Sequence, residues 1–98
     1  MREQELGPGY QAVVDTVIRV TVRLFAGVRE AAGADELAME LPEGATVDDL
    51  ECVLAERVPA LSRILPSCVV AVNRRYAAGA VSLSDGDEVA VIPPVSGG

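Results

Sequence analysis

Between residues 17 and 25 the chain alternates. Ile18, Val20, Val22 and Leu24 form a wholly apolar set, whereas Val17, Arg19, Thr21, Arg23 and Phe25 are polar through the middle of theirs. Successive side chains of a strand point to opposite faces, so this spacing predicts a strand with one face on a core and one toward solvent. Residues 26–32 read as a short helix, stopped by Gly33 in a left-handed cap. Residues 35–41 alternate again, with Leu37, Met39 and Leu41 against Glu36, Ala38 and Glu40, and predict a second strand. Pro42-Glu43-Gly44 makes a turn. Thr46 then caps the principal helix, residues 46–58, with Asp48 and Asp49 in the first turn, where the helix dipole favours negative charge. Val47, Leu50, Val53, Leu54 and Val58 form its apolar stripe, and Pro59 ends it. Cys52 lies off the centre of that stripe and is expected to be partly exposed.

Residues 61–65 predict a further helical turn before Pro66. Residues 68–73 are a nearly continuous apolar run, which predicts a central strand buried on both faces. Asn73-Arg74-Arg75 turns the chain into a short extended piece at Tyr76-Ala77. Ser84-Asp85-Gly86-Asp87 is a tight turn with Gly86 supplying positive φ, and residues 88–92 are the last strand. A chain that begins and ends in strands, with one real helix between them, predicts an α+β fold with that helix packed on one face of a mixed sheet. The first and last strands would pair in the middle of four or five strands, the layout of a ubiquitin-like β-grasp. Residues 1–16, with Gly7-Pro8-Gly9 among acidic and polar residues, read as a flexible N-terminal extension to a single domain, residues 17–98. Ala12-Val13-Val14 would add at most a short edge segment.

Composition narrows the chemistry. Of 98 residues half are hydrophobic, enough for one modest core. The net charge of −7 argues against nucleic acid or an anionic membrane as partner. No apolar run approaches the ~20 residues of a membrane span, and the acidic start, Met1-Arg2-Glu3-Gln4-Glu5, is unlike a signal peptide, so a cytoplasmic protein is expected. Cys52 and Cys68 have no metal-ligand spacing and read as buried or half-buried free thiols, and no metal site is expected. There is no histidine, lysine or tryptophan. Without an imidazole base or an amine nucleophile, the chain is poorly equipped to be an enzyme alone.

The tail offers a different group. Pro93-Pro94 makes a stiff exit from the last strand, and Val95-Ser96-Gly97-Gly98 follows. Two terminal glycines let the backbone enter a slot too narrow for any side chain, which would make the carboxylate of Gly98 the reacting group. Disorder is the plainer expectation for such a tail.

Several segments agree with one family. Val22-Arg23-Leu24-Phe25-Ala26-Gly27-Val28-Arg29-Glu30, the strand Val70-Ala71-Val72-Asn73, and residues 83–98 through Pro93-Pro94-Val95-Ser96-Gly97-Gly98 resemble the small subunit of molybdopterin synthase, one of the MoaD/ThiS-like sulfur carriers. The likeness covers residues 17–98; the extension at 1–16 is a departure from the family pattern. The resemblance implies a non-catalytic, sulfur-donating subunit with no bound cofactor. An activating enzyme, using ATP and Mg²⁺, adenylates the carboxylate of Gly98, and sulfur replaces AMP to leave a thiocarboxylate. The tail, Pro93, Pro94, Val95, Ser96 and Gly97, then enters the large subunit, in a heterotetramer of two small and two large subunits. Sulfur passes there to a cyclic pyranopterin phosphate.

The resemblance also places Tyr76, Ile92, Phe25 and Arg29 at partner contacts. By their own setting Phe25 is expected in the core, Arg29 on the surface of the short helix, and Asn73 closing its turn with a side-chain-to-backbone bond. Asp85, Asp87 and Glu88 read as turn chemistry before docking residues. A carrier serving thiamine or cysteine synthesis, an inert ubiquitin-like binding module and a modifier joined to target lysines remain as alternatives.

Overall fold

The computed structural model describes residues 17–94; the N-terminal extension and Val95, Ser96, Gly97 and Gly98 lie outside them. Five strands form one sheet: β1 (Val17–Leu24), β2 (Glu36–Pro42), β3 (Val69–Val72), β4 (Arg75–Tyr76) and β5 (Glu88–Ile92), in the order β2-β1-β5-β3-β4. The first and last described strands, β1 and β5, pair in parallel at the centre, while β1–β2, β5–β3 and β3–β4 are antiparallel. Helix α1 (Ala26–Ala32) links β1 to β2, and α2 (Val47–Arg57) crosses from β2 toward β3. This is the expected α+β, ubiquitin-like arrangement with its five-stranded option realised.

The alternation in β1 decides which face is the core. Ile18, Val20, Val22 and Leu24 are all at most 6% exposed, beside Met39 and Leu41 of β2 and Val89 and Val91 of β5. Val28 of α1 and Val47, Leu50 and Leu54 of α2 close over them. The start of α2 is fixed by a reciprocal cap. Asp49 N–H donates to Thr46 Oγ1 (3.2 Å), and Thr46 N–H donates to Asp49 Oδ2 (2.9 Å), so two otherwise orphaned amide donors are satisfied.

Two expectations need correction. Phe25 is not in the core: it is 40% exposed. It belongs to the odd-numbered, outward set of β1, and Ala26, at φ 50°, turns the chain only after it. The strand at 68–73 is not buried on both faces, because Val69 is 45% exposed. The helices pack on the inner face of the sheet, and among the described residues none covers the outer face to which Val69 belongs. The turn expected at 61–65 is present, with Ile64 N–H donating to the Leu61 carbonyl (3.1 Å), and it is flanked by two 3₁₀ turns, Pro59–Leu61 and Leu65–Ser67, each with proline in its first two positions. Gly33 (φ 73°) does end α1 in the left-handed region, and Gly86 (φ 87°) does serve the turn before β5.

Candidate docking face and root of the tail

The pleat and register assemble the outer face of the sheet. Arg23 of β1 lies beside Ala90 of β5, Ala90 beside Ala71 of β3, and Ala71 beside Tyr76 of β4. One pleat further along, Ile92 pairs with Val69. Phe25 follows Leu24, whose partner is Val91, and so stands at the same level as Ile92. The result is an apolar platform with a floor of two alanines, bordered by Val69, Ile92 and Phe25 and by Tyr76, which is 81% exposed. A contiguous exposed apolar surface of this kind marks an interaction site.

Charge fences the platform. Arg23 donates to Glu88 at 2.9 Å, and its guanidinium lies 6.0 Å from the centre of the Phe25 ring. Arg19 donates to Glu40 at 3.0 Å further out on the same face. Both pairs are solvated, so they contribute little to stability; they keep the remainder of the face polar. The β3–β4 hairpin turns through Asn73 and Arg74, both at positive φ (51° and 73°), the geometry of a two-residue hairpin of the left-handed type. Asn73 does make a side-chain-to-backbone bond, but with another strand: Glu88 N–H donates to Asn73 Oδ1 (3.0 Å), and Asn73 Nδ2 donates to Asp87 Oδ1 (2.8 Å).

The acidic turn before β5 is structural, as expected. Arg19 N–H donates to Asp85 Oδ1 (2.8 Å) and Ser84 N–H donates to Asp87 Oδ2 (2.8 Å), which fix the start of the strand that carries the tail. Strand β5 ends at Ile92, and Pro93 and Pro94 leave the sheet at the rim of the platform. They border an open hollow of about 630 Å³ with Phe25, Ala26, Gly27, Ile64, Ser67 and Ile92. Of the sequence-predicted contacts, Tyr76, Ile92 and Phe25 therefore share one face, and Ile92 and Phe25 also meet Pro93 and Pro94. Arg29 is exposed on α1 and does not line the hollow. Val95, Ser96, Gly97 and Gly98 lie outside the described residues.

Sequence reasoning missed Val69, Ala71 and Ala90, the floor and edge of the platform. Their signal was the period of two in 88–92 and 69–72, carried by residues too small to stand out. Burial, then the negative charge of Glu51, pushes the Cys68 thiol up, and its Sγ donates to the Ile64 carbonyl at 3.3 Å. Cys52 is exposed on α2. Among the described residues no cluster of three or more histidine, cysteine or acidic side chains is placed to hold a metal, and no helix is long and apolar enough to cross a membrane.

Comparison with known proteins agrees with this geometry. The model of the ThiS family matches residues 22–98. The chain is 42% identical over 83 residues to the molybdopterin synthase sulfur carrier subunit of Chlamydomonas reinhardtii, covering 83% of this chain and 100% of that one. Among solved structures it is similar to a putative molybdopterin converting factor, subunit 1, from Pyrococcus furiosus (TM-score 0.75, 38% identity, 80% of this chain and 99% of that one). It is also similar to SAMP1, small archaeal modifier protein 1, from Haloferax volcanii (TM-score 0.75, 34% identity, 82% and 99%).

Proposed function

The chain belongs to the ThiS family, and from that premise we propose that it is the sulfur carrier subunit of a molybdopterin synthase, working in the cytoplasm. Its reacting group is the carboxylate of Gly98. A carboxylate is a poor acyl donor, so it needs a leaving group. A carboxylate oxygen attacks the α-phosphorus of ATP on the activating enzyme and pyrophosphate departs, leaving an acyl-adenylate. A sulfur nucleophile then displaces AMP at the carbonyl carbon and yields the thiocarboxylate. Mg²⁺ and basic groups on the activating enzyme offset the charge repulsion between carboxylate and triphosphate. This chain has no imidazole or amine to contribute, which fits a division of labour in which it presents the group and its partners do the chemistry.

The observation that carries the reading is the common corner of platform and tail. Ile92 and Phe25 belong to the exposed apolar face and also stand beside Pro93 and Pro94, where the tail leaves. A large subunit docked on that face is positioned to receive the tail, in a heterotetramer of two small and two large subunits. Sulfur passes there from the Gly98 thiocarboxylate to a cyclic pyranopterin phosphate. Deleting Gly98 is the test: pterin product should be abolished with the folded stability unchanged, and full product from the deletion contradicts the proposal.

A second reading, a modifier joined to lysines of other proteins, draws on the likeness to SAMP1. It uses the same activated Gly98. It differs in its product, because conjugates of higher mass form when cell proteins are supplied with the activating enzyme and ATP.

A further inference from the structure

The hollow at the root of the tail is a different surface from the platform. The platform is the outer face of the sheet. The hollow lies around its corner, between Pro93-Pro94 on one side and Gly27 and Ile64 on the other. Among the described residues nothing fills it, and its lining side chains are apolar apart from Ser67. Gly27 leaves it open: a Cβ at that position would find only Ile64 Cδ1, at 3.8 Å, which is ordinary van der Waals contact. Ala26, held at φ 50°, sets the corner at which Phe25 turns toward the platform and Gly27 toward the hollow.

We infer that this hollow is a second docking element, occupied by an apolar projection of the molybdopterin synthase large subunit, a loop or helix end bearing side chains of leucine, methionine or phenylalanine type. The inference rests on the carrier reading above. On that reading the reacting carboxylate is four residues beyond Pro94, and four extended residues span at most about 13 Å. A protein that takes Gly98 into its active site must therefore bring the mouth of that site against Pro93 and Pro94, which are themselves one wall of the hollow. The mouth then covers an apolar depression, and leaving it empty would waste contact at the place where the tail is threaded. Continuity supplies the second argument. Phe25 and Ile92 border both platform and hollow, so a surface docked on the first extends onto the second without a gap. The platform orients the partner, and the hollow sets how far the tail reaches.

The test is titration of the cognate large subunit against four variants. Gly27→Leu fills the hollow from its glycine wall and is expected to weaken binding at least tenfold with the thermal midpoint preserved. Ser67→Glu, which sets a charge on an exposed lip, should do the same, and it decides the matter if Gly27→Leu fails to fold. Glu56→Gln, exposed on α2, should bind like the unaltered chain. Tyr76→Asp, on the platform and away from the hollow, reports on the platform alone. If Tyr76→Asp weakens binding while Gly27→Leu and Ser67→Glu do not, the hollow is not a docking element and the carrier reading stands. If none of the three weakens binding, the docking face of the carrier reading falls with it. The same variants are titrated against the activating enzyme, and loss confined to that enzyme, with the large subunit unaffected, overturns the assignment of the occupant.

Discussion

The two faces of the sheet are built from the same strands and obey opposite rules. On the inner face β1 and β5 present branched side chains that are at most 6% exposed, beside Met39 and Leu41 of β2 and locked under α2 and α1. On the outer face the same strands present alanines, arginines and glutamates, with Phe25, Val69 and Tyr76 left 40%, 45% and 81% exposed. Burial of a Val, Leu, Ile, Phe or Met side chain is worth about 1.5–3 kcal/mol relative to exposure, so apolar groups left in water are free energy that folding does not collect. A single-layer sheet needs only one core. Apolar residues gathered on the other face, beside the root of the tail, are what the proposed docking of a large subunit would cover. The difference teaches that stability and docking are separable here: one face can be broken while the other survives.

Four outcomes test that separation, from the largest effect to the smallest. Leu54→Ala, in the centre of the inner face, is expected to cost about 2–5 kcal/mol, read by chemical denaturation. A smaller loss would mean that α2 packs more loosely than the buried leucine implies. On the outer face Tyr76→Asp or Ile92→Arg should move folding by under about 0.5 kcal/mol. Affinity for the large subunit should nevertheless fall at least about tenfold, or 1.4 kcal/mol, because an unpaired charge is desolvated. Unchanged affinity in a calorimetric titration would remove the platform as the contact.

Arg74→Gly sharpens the comparison at the rim. Arg74 holds φ 73°, a conformation that costs an L-residue about 1–2 kcal/mol and glycine little, while glycine gives back part of the gain in the unfolded chain. A net rise of about 0.5 kcal/mol in thermal or chemical stability is expected. A fall would mean that the arginine makes a stabilising contact.

The smallest effect concerns Glu51 on α2, whose carboxyl is raised above its ordinary range by burial and then by the charge of Asp48. A raised carboxyl favours folding below the unfolded value, near pH 4, and that contribution is lost as pH rises through the folded value. Glu51→Gln should therefore be slightly more stable than the parent chain at pH 7, with the advantage gone below about pH 4. A pH series of thermal melts decides it.

Much of this was legible in residues 17–25 and 46–58, because periods of 2 and 3.6 report burial directly when one face is buried. The same alternation already set Phe25 with the outward residues. Its aromatic character suggested the core, and its place in the pattern proved the better guide. The run at 68–73 misled for a physical reason: continuous apolar sequence reads as burial on both faces, but both helices pack on the inner face and leave Val69 exposed on the outer one. The bond from Asn73 to Glu88 joins residues that only the β3–β5 pairing brings together, so no local turn rule could name the partner. The positive φ of Ala26 and Arg74 had no signal, since neither is glycine. The hollow joins residues from 25–27, 64–67 and 92–94, which chain order alone does not bring together.

The central claim is that Gly98 carries the chemistry, and intact-mass spectrometry tests it most directly. The chain is incubated with its activating enzyme, ATP, Mg²⁺ and a sulfur donor, then weighed and fragmented. The account expects a gain equal to the difference between a sulfur and an oxygen atom, located at Gly98 and absent without ATP. An unchanged mass, or a gain located on Cys52 or Cys68, would contradict it.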